Sequence, residues 1–97
     1  MFVGAVELVL LLGDARSLKA KRSIVRSLLA ELRRRFAVAA AETGDQDLWR
    51  RTTIGVAAVS ASASHVQDVC DQVERWAWSR PDIEVVQVAR WVRSIDD

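Results

Sequence analysis

The sequence is poor in the residues that build covalent, metal or catalytic scaffolds. A single cysteine among 97 residues, Cys70, excludes an internal disulfide and gives no zinc ligand set, which fits a reducing cytosol. On a predicted buried helix face it reads as a small core residue rather than a reactive thiol. The only histidine, His65, has no serine or cysteine nucleophile assigned to it and reads as a surface residue. Glycines stand only at 4, 13, 44 and 55 and form no phosphate-cradling motif. With Pro81 the sole proline and half the residues apolar, no stretch has a disordered composition. The apolar run Phe2 to Leu12 is interrupted by Glu7 and too short to span a bilayer. It has no basic residue before it and no cleavage pattern after it, so it reads poorly as a signal peptide. Glu42, Asp45 and Asp47 are too few for a cation site and do not form an EF-hand loop. These absences point to a cytoplasmic, non-enzymatic protein with no catalytic, cofactor or metal residues and no membrane partner.

What is abundant is positive charge in one place. Arg16 to Arg35 holds eight of the fourteen basic residues and one acid, Glu31, for a net +7. Met1 to Ala15 sums to −2, and Phe36 to Asp97, with six bases and ten acids, to −4. The overall +1 therefore conceals a polarity, which suggests a polyanion, an acidic partner or intramolecular pairing.

The length suits one domain with one core, spanning residues 1–97. Phe2 to Leu12, rich in valine and leucine, reads as a central strand whose even positions are the more apolar. Gly13-Asp14 ends it in a turn. Ser17 is the expected N-cap of a helix reaching Phe36, with Leu18, Val25, Leu28, Leu29, Leu32 and Phe36 on one face. Lys21 points into that apolar sector and is expected to snorkel. Arg33, Arg34 and Arg35 sit where cations complement the helix dipole by about 0.3–1 kcal/mol each. Phe36 to Glu42 reads as a short strand, although its alanines also suit a helix extension. A loop over Thr43 to Trp49 and a β-branched strand over Arg50 to Ala61 follow, a hairpin of the longer type. On that strand Thr52, Ile54, Val56 and Ala58 face the helices. Ser62 or Ser64 caps a second helix to about Ser79, with Val66, Val69, Cys70, Val73, Trp76 and Ala77 inward and Asp68, Asp71 and Glu74 outward. Trp78 falls on its polar side, either to contact a partner or to fold over its neighbours. Ile83 to Ile95 is a fourth strand with both faces partly apolar, so its inward face stays open.

The order βαββαβ matches the split βαβ, or ferredoxin-like, α+β sandwich: a four-stranded antiparallel sheet with two helices on one face and strands one and three central. SLKAKRSIVRSLLAELRRRF, then AVAAAE, then QDLWRRTTIGVAAVS closely resembles the small bacterial YlxP-like family, a domain family of unknown function. The resemblance covers about residues 1–92, and SLKxKR with QDLWxR before a T-I-G-V strand carries it. It implies the ferredoxin-like fold. Genes of that family commonly lie beside those of transcription and translation factors, including initiation factor two and ribosome-binding factor A, which implies a role near the ribosome. No catalytic residues are established for the family. Gly44-Asp45 stand where many relatives carry a loop histidine, so no histidine chemistry is expected of that loop.

Three candidate surfaces follow. Lys19, Arg22, Arg26 and Arg33 form a stripe beside the apolar face, spaced to follow phosphates or the carboxylates of an acidic partner, unless it is simply solvated or paired internally. Gln46, Asp47, Trp49, Arg50 and Arg51 combine acceptors, an aromatic and guanidiniums near a loop that either docks on a partner or tucks Trp49 over the core edge. The open sheet face, with Val3, Ala5, Val9, Leu11, Ala57 and Val59, is small and apolar and suits an isologous homodimer. Unless Trp91 lies there it offers no aromatic, which disfavours base stacking. The leading expectation is a binding protein associated with ribosomal RNA or a ribosome-associated protein through the basic helix. The rival is a dimeric protein–protein module that does not bind RNA directly.

Overall fold

The computed structural model describes residues 1–13 and 15–97, so the part of the first turn expected at Asp14 lies outside the described residues. The elements are β1 (Phe2–Leu11), α1 (Leu18–Phe36), β2 (Ala39–Gly44), β3 (Arg51–Ser60), α2 (Ala63–Ser79) and β4 (Glu84–Ser94). They form one antiparallel sheet in the order β2-β3-β1-β4, the ferredoxin-like arrangement. Alternation along β1 sets the layers. Val6, Leu8 and Leu10 are buried against the helices beside Thr52, Ile54 and Val56 of β3, as the periodicity requires.

The helices complete that core with Val25, Leu28 and Leu32 from α1 and Val66, Cys70, Val73, Trp76 and Ala77 from α2. Each fully buried leucine contributes about 1.5–3 kcal/mol relative to leaving it exposed. Both helix starts are capped by serine: Ser17 Oγ accepts from Ala20 N at 3.0 Å and Ser62 Oγ from His65 N at 3.2 Å. Ser62, rather than Ser64, is therefore the cap of α2.

The end of α1 accounts for the displaced second strand. Ala37 adopts the left-handed conformation (φ 52) and its N–H donates to Arg33 O at 3.2 Å, closing the helix after Phe36. The chain then turns before it can extend, so β2 begins at Ala39 and not at Phe36. A bulge between Glu42 and Gly44 leaves Thr43 unpaired in the ladder.

Glu31 links the two helices. Its carboxylate accepts from Trp76 Nε1 at 3.1 Å and Arg35 at 3.4 Å, and it pairs with Arg80, which also lies 5.3 Å over the Trp76 ring. The Trp76 hydrogen bond and the Arg80 and Arg35 guanidiniums hold the Glu31 carboxyl below its ordinary pKa, against the opposing effect of burial. The one acid of the basic helix is thereby turned toward α2.

Candidate functional site

The exposed residues of α1 are Lys19, Arg22, Ser23, Arg26, Ser27, Ala30, Arg33, Arg34 and Arg35. Six cations alternate with three small residues, and no carboxylate shares the face. Lys19, Arg26 and Arg33 recur every seven residues along a ridge of roughly 21 Å, at about 1.5 Å of rise per residue. Arg22, Arg26 and Arg33 further border a groove of about 270 Å³ between α1 and β2, floored by Val25 and Leu29 and closed by Glu42. Lys19 lies one turn beyond it.

Where the acids of the fold go decides what this face can do. Among the described residues, seven ion-pair contacts connect Lys21, Arg35, Arg51, Arg80 and Arg90 to Glu42, Glu31, Asp45, Asp82, Asp71 and Glu74. None of them reaches Lys19, Arg22, Arg26 or Arg33. The acidic side expected of α2 is largely engaged from within, because Arg90 of β4 binds Asp71 at 2.7 Å and Glu74 at 3.2 Å. Arg33 has one internal task, donating to the Ala40 carbonyl at 2.6 Å, which caps the outer edge of β2. Its charge is not neutralised by that neutral acceptor.

Lys21 does not snorkel. It is 1% exposed, its ammonium lying 3.1 Å from Glu42 Oε2 and donating to the Asp45 carbonyl. Thr52 Oγ1 donates to the same Glu42 carboxylate at 2.6 Å. Asp45, at a left-handed φ of 59, accepts from Thr53 Oγ1 at 2.9 Å and Arg51 Nε at 3.1 Å. The Thr53 hydrogen bond first, and Arg51 with it, depress the Asp45 pKa. Both motifs that carried the family resemblance therefore meet in one polar cluster, the lysine of SLKAKR reaching the residue just before QDLW.

That cluster changes the expectation for the loop. Arg51 belongs to β3, as the strand expected from Arg50 requires, half-buried against Asp45, and Thr53, which alternation with Thr52 and Ile54 puts on the open face, is covered there. Gln46 Nε2 reaches the Glu42 carbonyl at 3.5 Å. Asp47, Trp49 and Arg50 remain exposed. Trp49 does not tuck over the core edge; it is 52% exposed, beside Leu48 at 49%. Because Asp45 is bonded to Lys21, this loop lies at the same end of the molecule as the first turn of α1.

On the far side of the sheet Val3, Ala5, Val9 and Leu11 are half-buried and Ala57 and Val59 exposed. Pairing of Ala5 with Trp91 puts Trp91 on this open face, where the Arg93 guanidinium covers its ring at 4.7 Å. The open face therefore does hold an aromatic, a single one already stacked. Trp78 stays 61% exposed, its Nε1 donating to Glu74 at 3.3 Å. Burial pushes the Cys70 thiol up, away from reactivity. Among the described residues no three His, Cys, Asp or Glu side chains gather as a metal-binding group, and no helix is long and apolar enough to cross a membrane.

Comparison with known proteins agrees with the resemblance seen in the sequence. The model of the family described as "Protein of unknown function (DUF503)" matches residues 3–90. The chain is similar to "Uncharacterized protein YlxP" of Bacillus subtilis (strain 168), 37% identical over 82 residues that cover 84% of this chain and 89% of that protein.

Proposed function

The chain belongs to the DUF503 family of proteins of unknown function, and from the chemistry of α1 we propose that it is a non-enzymatic protein that binds RNA, with ribosomal RNA the expected partner. The observation that carries this reading is the acid-free outer face of α1. Among the described residues, Lys19, Arg22 and Arg26 take part in none of the ion pairs, which engage six of the chain's carboxylates. Such a row gains free energy by releasing counterions from a phosphate backbone, and Ser23, Ser27 and Ala30 between the long side chains allow close approach. Arginine adds bidentate contact with phosphate oxygens.

Titrating a ribosomal RNA fragment at several salt concentrations tests it. Affinity should fall with salt, and replacing Lys19, Arg22 and Arg26 together by alanine should reduce the slope of log K against log salt by about three, roughly one for each phosphate no longer neutralised. The substitutions are on the surface, so stability should change by no more than about 0.5 kcal/mol each. No binding near physiological salt, or an unchanged slope, overturns the proposal.

A second reading concerns the open face, which suits a second copy of the chain. Val59 at 66% and Trp91 at 43% exposure favour it, because they add to the apolar residues Val3, Ala5, Val9, Leu11 and Ala57 that lie around Glu7 on this face. Such a pair would leave both basic helices on the outside. Sedimentation equilibrium at tens of micromolar should give a dimer mass; a monomer mass overturns this reading.

A further inference from the structure

Around the Ala5–Trp91 rung the open face holds two opposite charges that form no ion pair among the described residues. Glu7 stands on the central strand with only the Thr43 hydroxyl donating to it, at 3.2 Å. Arg93, on β4, forms no ion pair among the described residues and lies over Trp91. Their places are related. The rungs Val3–Arg93, Ala5–Trp91 and Glu7–Ala89 follow one another on this face, so Glu7 and Arg93 lie on opposite sides of the Ala5–Trp91 rung. Each is two residues from it, about 6.6 Å along the strand.

Beside Trp91 the sheet is hollow. Gly55, Ala5 and Ala89 are small residues on adjacent strands, and they leave a depression of about 250 Å³ bordered by Glu7 and Trp91. Gly55 cannot be larger without displacing Thr43, whose Cγ2 would stand 2.7 Å from an added Cβ. A projecting indole next to a hollow on a flat face is self-complementary under a two-fold axis.

We infer that two copies of the chain pack open face to open face about a two-fold axis that crosses the strands at the Ala5–Trp91 rung. Each Glu7 then meets Arg93 of the second copy, and the two indoles meet near the axis and fill the hollows beside them. This arrangement rests on the second-copy reading above and specifies its contacts. The axis exchanges the rungs on either side of it, so both charge pairs form at once, as an isologous interface requires. The area suffices: four strands about 4.8 Å apart, of 10, 6, 10 and 11 residues, present roughly 600 Å² per copy, or about 1,200 Å² in total, at the lower end of stable interfaces.

Charge exchange tests it. Glu7→Arg alone sets Arg against Arg93 twice, and Arg93→Glu alone sets Glu7 against Glu twice, so each variant should dimerise at least tenfold more weakly by sedimentation. Mixed in equal amounts, E7R and R93E should recover a heterodimer about as tight as the parent pair, because one copy then offers two cations and the other two carboxylates. Trp91→Ala should weaken the dimer without rescue by either partner. Circular dichroism melting confirms that each variant is folded, which the exposure of all three side chains favours. A parent dimer whose affinity neither charge variant changes, or a mixture that fails to recover it, overturns this geometry while leaving a second copy on the face. A parent that stays monomeric at tens of micromolar overturns both.

Discussion

Lys21→Met is expected to lower the stability of the domain by about 3 kcal/mol, the lower end of the 3–5 kcal/mol range for removing one partner of a buried ion pair. At roughly 4–8 °C per kcal/mol for a domain of this size, the melting temperature falls by about 12–24 °C. Methionine keeps the length of the stem and leaves little cavity, so the loss isolates the ammonium group. Without it the Glu42 carboxylate retains only the Thr52 hydroxyl, and the Asp45 carbonyl loses its side-chain donor. Glu42 is still 19% exposed and regains some hydration, which is why the lower end applies. Lys21→Met combined with Glu42→Met should recover more than half of the loss, since replacing both members of a buried pair is often close to neutral. A single variant that melts within a few degrees of the parent would show that the cluster does not hold α1 to the β2–β3 hairpin.

Lys21 also marks where reading the sequence ends. Helical periodicity places it in the apolar sector, and a lysine there is expected to carry its charge out to water. The expectation fails because the carboxylate that keeps it inside comes from Glu42, and the carbonyl from Asp45, 24 residues away in sequence. Pairing at that distance depends on the register of β2 on β3 and on a bulge at Thr43, neither of which local pattern encodes. By contrast, much that local chemistry sets was legible, although the left-handed turn at Ala37 that delays β2 was not. Ser17 caps α1, β1 is central, the apolar stripes of both helices face the core, and the element order leads to the ferredoxin-like sheet.

The candidate surfaces divide along the same line. That Lys19, Arg22 and Arg26 share a face follows from 100° per residue alone. That six of the chain's acids are engaged elsewhere depends instead on tertiary contacts: Arg90 on Asp71 and Glu74, and Arg80 on Glu31, join strands and helices remote in sequence. The side on which Trp91 lies could not be read from β4, whose two faces are both partly apolar. Its pairing with Ala5 decides it, and with it the presence of an aromatic on the open face.

Gly4→Ala is the second change expected to have a large effect, about 3 kcal/mol and a similar fall in melting temperature, at the upper end for overpacking a core. In the sequence Gly4 carries no signal of its own, being an apolar-strand residue with no turn to make. It lies instead where α2 crosses β1 most closely: an added Cβ would stand 2.3 Å from Val66 Cγ1 and 2.7 Å from Cys70 Sγ. Val66 is fully buried and, as a β-branched residue in a helix, is held to one χ1 rotamer, so it cannot swing aside cheaply. The helix must lift, and with it the packing of Val73 and Trp76. Trimming the obstructing residue tests that cause. Val66→Ala alone should cost about 2 kcal/mol as a cavity, yet the double variant should cost about 1–3 kcal/mol less than the two single losses combined, because the methyl group gained on β1 occupies space vacated on α2. Additive losses in that cycle would mean that Gly4 is not the point of closest approach that sets the height of α2 above the sheet.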